Sequence, residues 1–289
     1  MYSFIQCTVI GVAMGMIYAL LAMGLILLIR SVGVLNFAQG DLFMVGAYVV
    51  FTYGTDLHFP LGGTLAAALL TFALIGLVFM FTIWWPVRNS TWAQATIICT
   101  MGASSVIKEL VLLIWGPIPL VMDPIVGGTI KIGKVVLQNQ YLVIIGVTVV
   151  IVLAVFTLYE KLYAGRVMQA ATQDRYAARI LGIPVTLTIS ITYMIVCSIA
   201  GIAGGLVGPI FFANTSLGVL QSKAFASVVI GGFGNLKGAV IGGLIIGLIE
   251  AYSTFVTTTY KDAIVFLVLI IVLMVRPQGI FGERIADKA

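Results

Sequence analysis

Long apolar runs dominate the sequence, and short segments with charges, glycines or prolines separate them. A helix that crosses the ~30 Å hydrocarbon core of a bilayer uses about 20 residues, each adding about 1.5 Å. Eight runs are candidate spans: 9–29, 37–53, 61–85, 93–115, 140–159, 188–207, 239–256 and 263–275. The pattern therefore predicts an all-α polytopic membrane protein, with about eight transmembrane helices in a single domain over residues 1–289.

Composition supports this prediction and excludes other classes. Of 289 residues, 61% are apolar and 9% charged, against roughly 45 to 50% and about 25% in soluble domains. The spans leave no room for a second, soluble catalytic domain. The net charge of +5 does not imply a nucleic-acid partner, and the three cysteines lack the C-x-x-C spacing of a metal or redox site.

A shorter apolar stretch, 224–233, cannot cross the bilayer as a straight helix. It is predicted to be a half-helix broken by glycines. Irregular backbone at membrane depth is tolerated only where protein or a wet cavity shields it, and it can present unpaired backbone groups to a solute. Gly231, Gly232 and Asn235 are therefore candidate pathway residues.

A second candidate for the pathway is the polar turn of Asn36, Gln39 and Gly40, followed by Asp41 at the start of the second span. A charge near mid-bilayer costs on the order of 2.5 to 3.5 kcal/mol on insertion scales, so such a residue faces the bundle interior or a cavity. The alternative is that Asp41 sits near the cytoplasmic interface, where the dipole of its helix favours a negative charge.

Other residues within the spans favour packing roles. Lys108 and Glu109 can reach back to serines one turn earlier, and Glu250 is similar. Pairs of glycines with G-x-x-x-G spacing, such as Gly11 and Gly15, favour close helix packing.

Lysine and arginine placement predicts the orientation, because cytoplasmic loops retain these residues. With the N-terminus outside, ten of them lie inside and four outside, and Lys108 lies within a span. An outside N-terminus and a cytoplasmic C-terminus require an odd number of crossings, so the half-helix must supply the ninth. The alternating run 129–137 then predicts a small hairpin on the outer side.

The connection 160–187 carries the most informative local pattern. Asp174 is a predicted N-cap, 175–181 a two-turn helix, Gly182 its left-handed C′ residue, and Pro184 its stop. Ala177 and Ala178 are small enough for another protein to approach closely. A docking helix for a soluble partner and a basic helix lying on anionic lipid both fit this pattern.

Four motifs in order resemble one family. They are NFAQGD with GAY at 36–41 and 46–48, the GR and D-x-x-AAR-x-x-G pattern at 165–183, SVVIGGFGNLKG at 227–238 with Gly242, and RPQGIFG at 276–282. Together they resemble the permease subunits of ABC importers of the branched-chain amino-acid type, which are related to ribose permeases.

That resemblance implies that 160–187 is the coupling loop, whose helix enters a groove on the ATPase. The residues it assigns to coupling are Arg166, Asp174, Arg175, Ala177, Ala178, Arg179 and Gly182. It also implies separate ABC ATPase subunits, a second related permease subunit, an extracytoplasmic binding protein, a small-molecule substrate and a bacterial cytoplasmic membrane.

The sequence predicts no enzyme and no cofactor in this chain, so ATP and Mg²⁺ belong to the partner ATPase. The run from Gly128 to Lys134 resembles a phosphate-binding loop, but Val135 stands where Ser or Thr is required. Two alternatives stay open: a urea or amide ABC permease, and a self-sufficient channel or secondary carrier for a small polar solute. Few ionisable residues are available for ion coupling, which argues against the carrier.

Overall fold

The computed structural model describes residues 2–88, 90, 92, 94–132 and 135–282, and most of them are helical. In chain order the elements are α1 (Tyr2–Val32), α2 (Gln39–Phe51), α3 (Leu61–Phe79), α4 (Trp85–Val87), α5 (Ala95–Trp115), β1 (Thr129–Ile132), β2 (Val135–Gln138), α6 (Asn139–Phe156), α7 (Tyr163–Gln173), α8 (Arg175–Ile180), α9 (Val185–Phe211), α10 (Leu220–Gly231), α11 (Leu236–Ser253) and α12 (Lys261–Val275). Three helices end in π-helical turns, at Thr52–Asp56, Met80–Trp84 and Thr157–Lys161. The protein is an all-α polytopic membrane protein, as predicted.

Each of the eight predicted spans coincides with a helix. Within the described residues, six helices are long and apolar enough to cross a membrane. The other two spans correspond to α2 and α12, which have 13 and 15 helical residues. The structure therefore places a helix at every predicted span, while the number of full crossings stays a prediction.

Helix α2 is short because it lies inside the bundle. Most of its residues are buried, and it packs mainly against α9, with further contacts to α3, α5 and the 3-10 turn Thr215–Val219. Glycines make this close packing possible: a Cβ atom on Gly46 would lie 2.8 Å from the Cα atom of Gly201. A helix sheltered in this way is not constrained to span the bilayer on its own.

The most extensive helix pair is α1 with α11, and glycines line its contact. A Cβ atom on Gly11 would lie 2.8 Å from the Cβ atom of Ala251, and one on Gly15 would lie 2.9 Å from the carbonyl oxygen of Gly243. In lipid, van der Waals packing across small residues is a main source of helix association. The predicted packing role of this G-x-x-x-G pair is confirmed.

The bundle has two distinguishable ends. At the hairpin end, β1 and β2 pair antiparallel with Thr129 opposite Gln138, and Gln6 at the start of α1 donates to the carbonyl oxygen of Val136 over 3.2 Å. This confirms the predicted hairpin; its turn, residues 133 and 134, lies outside the described residues. At the opposite end, which we call the loop end, α7 and α8 lie close to Arg30 of α1, whose guanidinium is 5.8 Å from the Tyr159 ring.

The first and last described segments lie at opposite ends. Helices α1 and α11 are antiparallel, since Thr8 contacts Tyr252 and Ala19 contacts Gly243. The segment after α12 folds against Gly232, just before α11 begins, at the loop end. This arrangement requires an odd number of passes, and α10 supplies the extra one, as the parity argument predicts. It starts at Leu220, earlier than the predicted 224.

Substituting Gly15→Ala should destabilise the α1–α11 contact. The added methyl group would meet the backbone of Gly243 and Leu244 at 2.9 Å, and overpacking of this kind costs about 1–3 kcal/mol. Thermal unfolding of the purified protein in detergent measures the effect. Gly102→Ala on α5 is the matched control, because its Cβ atom would meet nothing within 4 Å. Equal unfolding temperatures for the two variants would contradict a tight contact at Gly15.

Candidate pathway and coupling sites

The predicted coupling helix is present as α8. The Asp174 carboxylate accepts hydrogen bonds from the backbone N–H groups of Tyr176 and Ala177, at 2.8 and 3.0 Å, and thereby caps the helix. Gly182 has a φ of +78°, the left-handed conformation expected just beyond a helix end. The helix ends at Ile180, one residue earlier than predicted.

One of the predicted coupling residues does not face outward. Ala178 is 3% exposed and packs in the core of this chain, while Ala177 is half-buried. The expectation that both alanines admit a close partner is therefore wrong for Ala178, because α8 turns this side toward α7 and α9. Arg166 lies exposed on α7. For Arg175 the backbone position alone is described.

The outward side of α8 is partly apolar. Tyr176 is 76% exposed and Leu181 is 79% exposed, with Arg179 and Ile180 between them also exposed. We call these four residues the α8 surface. A cleft of about 230 Å³ separates Tyr176 and Arg179 from Trp85 and Arg88 at the end of α3 and α4. Exposed apolar side chains beside an aromatic and basic cleft are typical of a protein contact site.

The glycine break after α10 is closed by the end of the described chain. Ile280 and Phe281 donate backbone hydrogen bonds to the carbonyl oxygens of Ile230 and Gly231, at 2.8 and 3.1 Å. The side-chain amide of Asn235 donates to the carbonyl oxygen of Phe281 at 3.2 Å. The expectation that this break offers free backbone groups to a solute is wrong, because the tail supplies the missing donors.

The polar turn before α2 lies inside the protein. The side-chain oxygen of Asn36 accepts from the N–H of Ala38 at 3.0 Å, and Phe37 donates to the hydroxyl of Thr100 at 3.3 Å. Gln39 is fully buried beside Gly24 of α1, and neither polar atom of its side-chain amide has a hydrogen-bond partner among the described residues.

Asp41 lies in the first turn of α2, but not at the end of the bundle. Its carboxylate lies alongside Ser104, and 104 is about 14 Å into α5 from Ala95 at 1.5 Å per residue. The ammonium of Lys108 lies 3.7 Å from the Asp41 carboxylate. The carboxylate is thus at mid-span, favoured both by its helix dipole and by a cation from another helix.

The two predicted halves of the pathway do not meet. Gly231, Gly232 and Asn235 lie against the tail at the loop end, whereas Asp41 and Gly40 lie against Gly218 and Gln221, just before and at the start of α10. A Cβ atom on Gly218 would lie 2.8 Å from the Asp41 carboxylate. The start of α10, and not its broken end, is therefore the neighbour of Asp41. Sequence spacing carried no signal for this contact.

A buried ion cluster, which the sequence did not reveal, ties four helices together. The ammonium of Lys223 on α10 lies 2.6 Å from Glu250 on α11 and 2.8 Å from Asp262 on α12. Tyr18 on α1 donates to Glu250 at 2.5 Å, and Lys261 lies 3.3 Å from the same carboxylate. The packing role predicted for Glu250 agrees with this arrangement.

The model of one protein family matches residues 7–273, and its description is "Branched-chain amino acid transport system / permease component". The chain belongs to this permease family. Its length and its alternation of buried helices and short loops therefore have a common explanation in a multi-pass transport permease.

Individual relatives of the permease agree with the family match. The high-affinity branched-chain amino acid transport system permease proteins LivH of Salmonella typhimurium and of Escherichia coli are each 31% identical, over 99% of this chain and 97% of theirs. BraD of Pseudomonas aeruginosa, a permease protein of the same description, is 29% identical over 99% of this chain and 98% of its own.

Among solved structures, PsaBC from Streptococcus pneumoniae in complex with Fab covers 94% of this chain and 90% of its own. The TM-score is 0.49 at 12% identity, a likeness too low to carry an argument.

Substituting Lys223→Met should destabilise the permease by on the order of 3 kcal/mol, because it leaves the buried Glu250 carboxylate with less compensation. The free energy of unfolding in detergent measures the effect. Lys131→Met, at an exposed position on β1, is the control and should stay within about 0.5 kcal/mol of wild type. The double variant Lys223→Met/Glu250→Gln should recover part of the loss. A single variant as stable as wild type would contradict the cluster's role.

Proposed function

We propose that this permease is the membrane subunit of an ATP-driven importer for branched-chain or other small amino acids in a bacterial cytoplasmic membrane. The observation that carries the proposal is the family match over residues 7–273, together with relatives of the same description over nearly their full length. Neither the family nor the relatives' descriptions support the urea or self-sufficient carrier alternatives.

The proposal assigns the permease no catalytic step of its own. ATP and Mg²⁺ bind to separate ABC ATPase subunits, and hydrolysis there drives transport. The reason is chemical: the glycine-rich run before Val135 lacks the hydroxyl that holds Mg²⁺ in a phosphate-binding loop. A second, related permease subunit and an extracytoplasmic binding protein complete the proposed assembly.

The α8 surface is the proposed contact with the ATPase. It projects from the loop end, where Tyr176, Ile180 and Leu181 offer exposed apolar side chains and Arg179 offers a cation. Asp174 and Gly182 fix both ends of the helix that carries these side chains. A short, capped helix transmits a push to α7 and α9 as one body, because Ala178 is packed between them and the helix.

In the proposed orientation the hairpin end faces the outside, and the loop end faces the cytoplasm. Arg30, Arg88 and Arg179 lie at the loop end, and cytoplasmic ends of membrane proteins are enriched in such residues. The binding protein then delivers substrate to the hairpin end, and the ATPase binds the opposite end.

Substituting Tyr176→Glu should uncouple ATP hydrolysis from transport, because it places a carboxylate in the proposed contact. We expect amino-acid uptake per ATP hydrolysed to fall by about tenfold in proteoliposomes that contain the complete complex. That change corresponds to about 1.4 kcal/mol of lost coupling. Tyr260→Glu is the matched control, since Tyr260 is 68% exposed but lies at the hairpin end. An unchanged ratio for Tyr176→Glu would refute the assignment of the α8 surface.

Cysteine labelling tests the orientation. In a variant whose native Cys7, Cys99 and Cys197 are replaced by serine, single cysteines at Lys237 and Tyr260 occupy exposed positions at opposite ends of the bundle. A membrane-impermeant maleimide added to intact cells should label the cysteine at 260 and leave the one at 237 unlabelled until the cells are broken. The reverse pattern would invert the proposed topology.

A further inference from the structure

Helix α5 carries two adjacent charges at membrane depth, Lys108 and Glu109. They are the fourteenth and fifteenth residues of the 21-residue helix Ala95–Trp115, so they lie about 10 Å inside its Trp115 end. Neither is enclosed by this chain: the Lys108 side chain is 43% exposed and Glu109 is exposed. Groups of this kind are expensive in hydrocarbon.

Lys108 does not take the usual escape from lipid. A lysine near the end of a span can extend its ammonium toward the interface, but here the ammonium turns toward Asp41, which lies level with Ser104 near the middle of α5. The 3.7 Å separation is longer than a charged hydrogen bond. One Asp41 carboxylate oxygen also lacks a hydrogen-bond partner among the described residues. Acceptor and donor capacity are both left unused.

Glu109 extends an open polar stripe along α5. Gly102 and Ser105 lie three to seven residues before Glu109, on the same side of the helix, and both are exposed. A Cβ atom on Gly102 would meet nothing within 4 Å. In the described part of the chain no ion pair involves Glu109. A carboxylate in this position fits an aqueous, solute-lined surface and does not fit a lipid contact.

An apolar cleft adjoins the charges. It has a volume of about 670 Å³ and lies between α2, α3 and α5. Leu42, next to Asp41, and Ile107, next to Lys108, are both in its wall. The site therefore combines a cation and two carboxylates with a greasy recess alongside.

We propose that Lys108, Glu109 and Asp41 form a binding site within the permease for the zwitterionic head group of an amino acid. Lys108 holds the α-carboxylate, Glu109 holds the α-ammonium, and Asp41 keeps the Lys108 ammonium turned toward mid-span. The apolar cleft receives the aliphatic side chain. The proposal rests on the proposed function, in that it takes an amino acid as the transported solute.

Transport by the complete complex in proteoliposomes tests the site, with radiolabelled leucine as the probe. Lys108→Met and Glu109→Gln should each lower uptake by roughly tenfold or more, the usual effect of losing a charged hydrogen bond. ATP hydrolysis stimulated by the loaded binding protein should persist in both, because the α8 surface is untouched. Leu113→Ala, at a position 81% exposed on the same helix, is the control and should transport within about twofold of wild type.

A double variant separates solute binding from simple charge neutralisation. If Lys108 serves only to neutralise Asp41, Asp41→Asn/Lys108→Met will restore uptake, and the proposal is overturned. If Lys108 contacts the solute, the double variant stays as slow as the single one. Should Lys108→Met fail to assemble, Glu109→Gln decides, because Glu109 is exposed and its replacement leaves the fold intact.

The outcomes also separate this inference from the function on which it rests. A wild-type complex that imports no amino acid refutes the proposed function and the site with it. A wild-type complex that imports leucine, with Lys108→Met and Glu109→Gln variants that import it at the wild-type rate, refutes the site alone.

Discussion

The structure depends on one constraint: the interior of a bilayer supplies neither hydrogen bonds nor counter-charges, so the protein must supply them. The break after α10 shows how it does so, because the segment after α12 folds back and donates to the carbonyl oxygens of Ile230 and Gly231. The buried cluster around Lys223 and Glu250 follows the same rule with charges. Each solution fixes several helices relative to one another, so satisfying polar groups and defining the fold are the same process.

Close approach of helix backbones is the second element of this architecture. Lipid removes the hydrophobic drive that holds soluble helices together, so shape must replace it. Small residues along α1 and α11, and where α2 meets α9, let backbones touch, and this leaves α2 surrounded by protein. A sheltered central helix can begin at membrane depth with a polar turn, which is why Asp41 is near mid-span although it stands in the first turn of its helix.

The two ends of the permease have different characters, and the proposed transport cycle uses both. The loop end presents a short helix with fixed ends and an exposed apolar side, packed on α7 and α9. Near mid-span, the charges of α5 and α2 lie beside an apolar cleft. Helix α9 links these regions, because it contacts α8 at one end and packs along α2. A displacement of α8 therefore has a direct mechanical route to the helix that carries Asp41.

The sequence by itself determined the features that depend on local pattern: the position of every span, the hairpin, the capped coupling helix with Asp174 and Gly182, and the glycine packing of α1. Local pattern suffices there because span length, capping and small-residue spacing act within one segment or along one helix face. Only the tertiary structure decided which charges meet. Lys108 with Asp41, Lys223 with Glu250, the inward turn of Ala178 and the closure of the glycine break all depend on how distant segments pack, and partners in different helices leave no spacing to recognise.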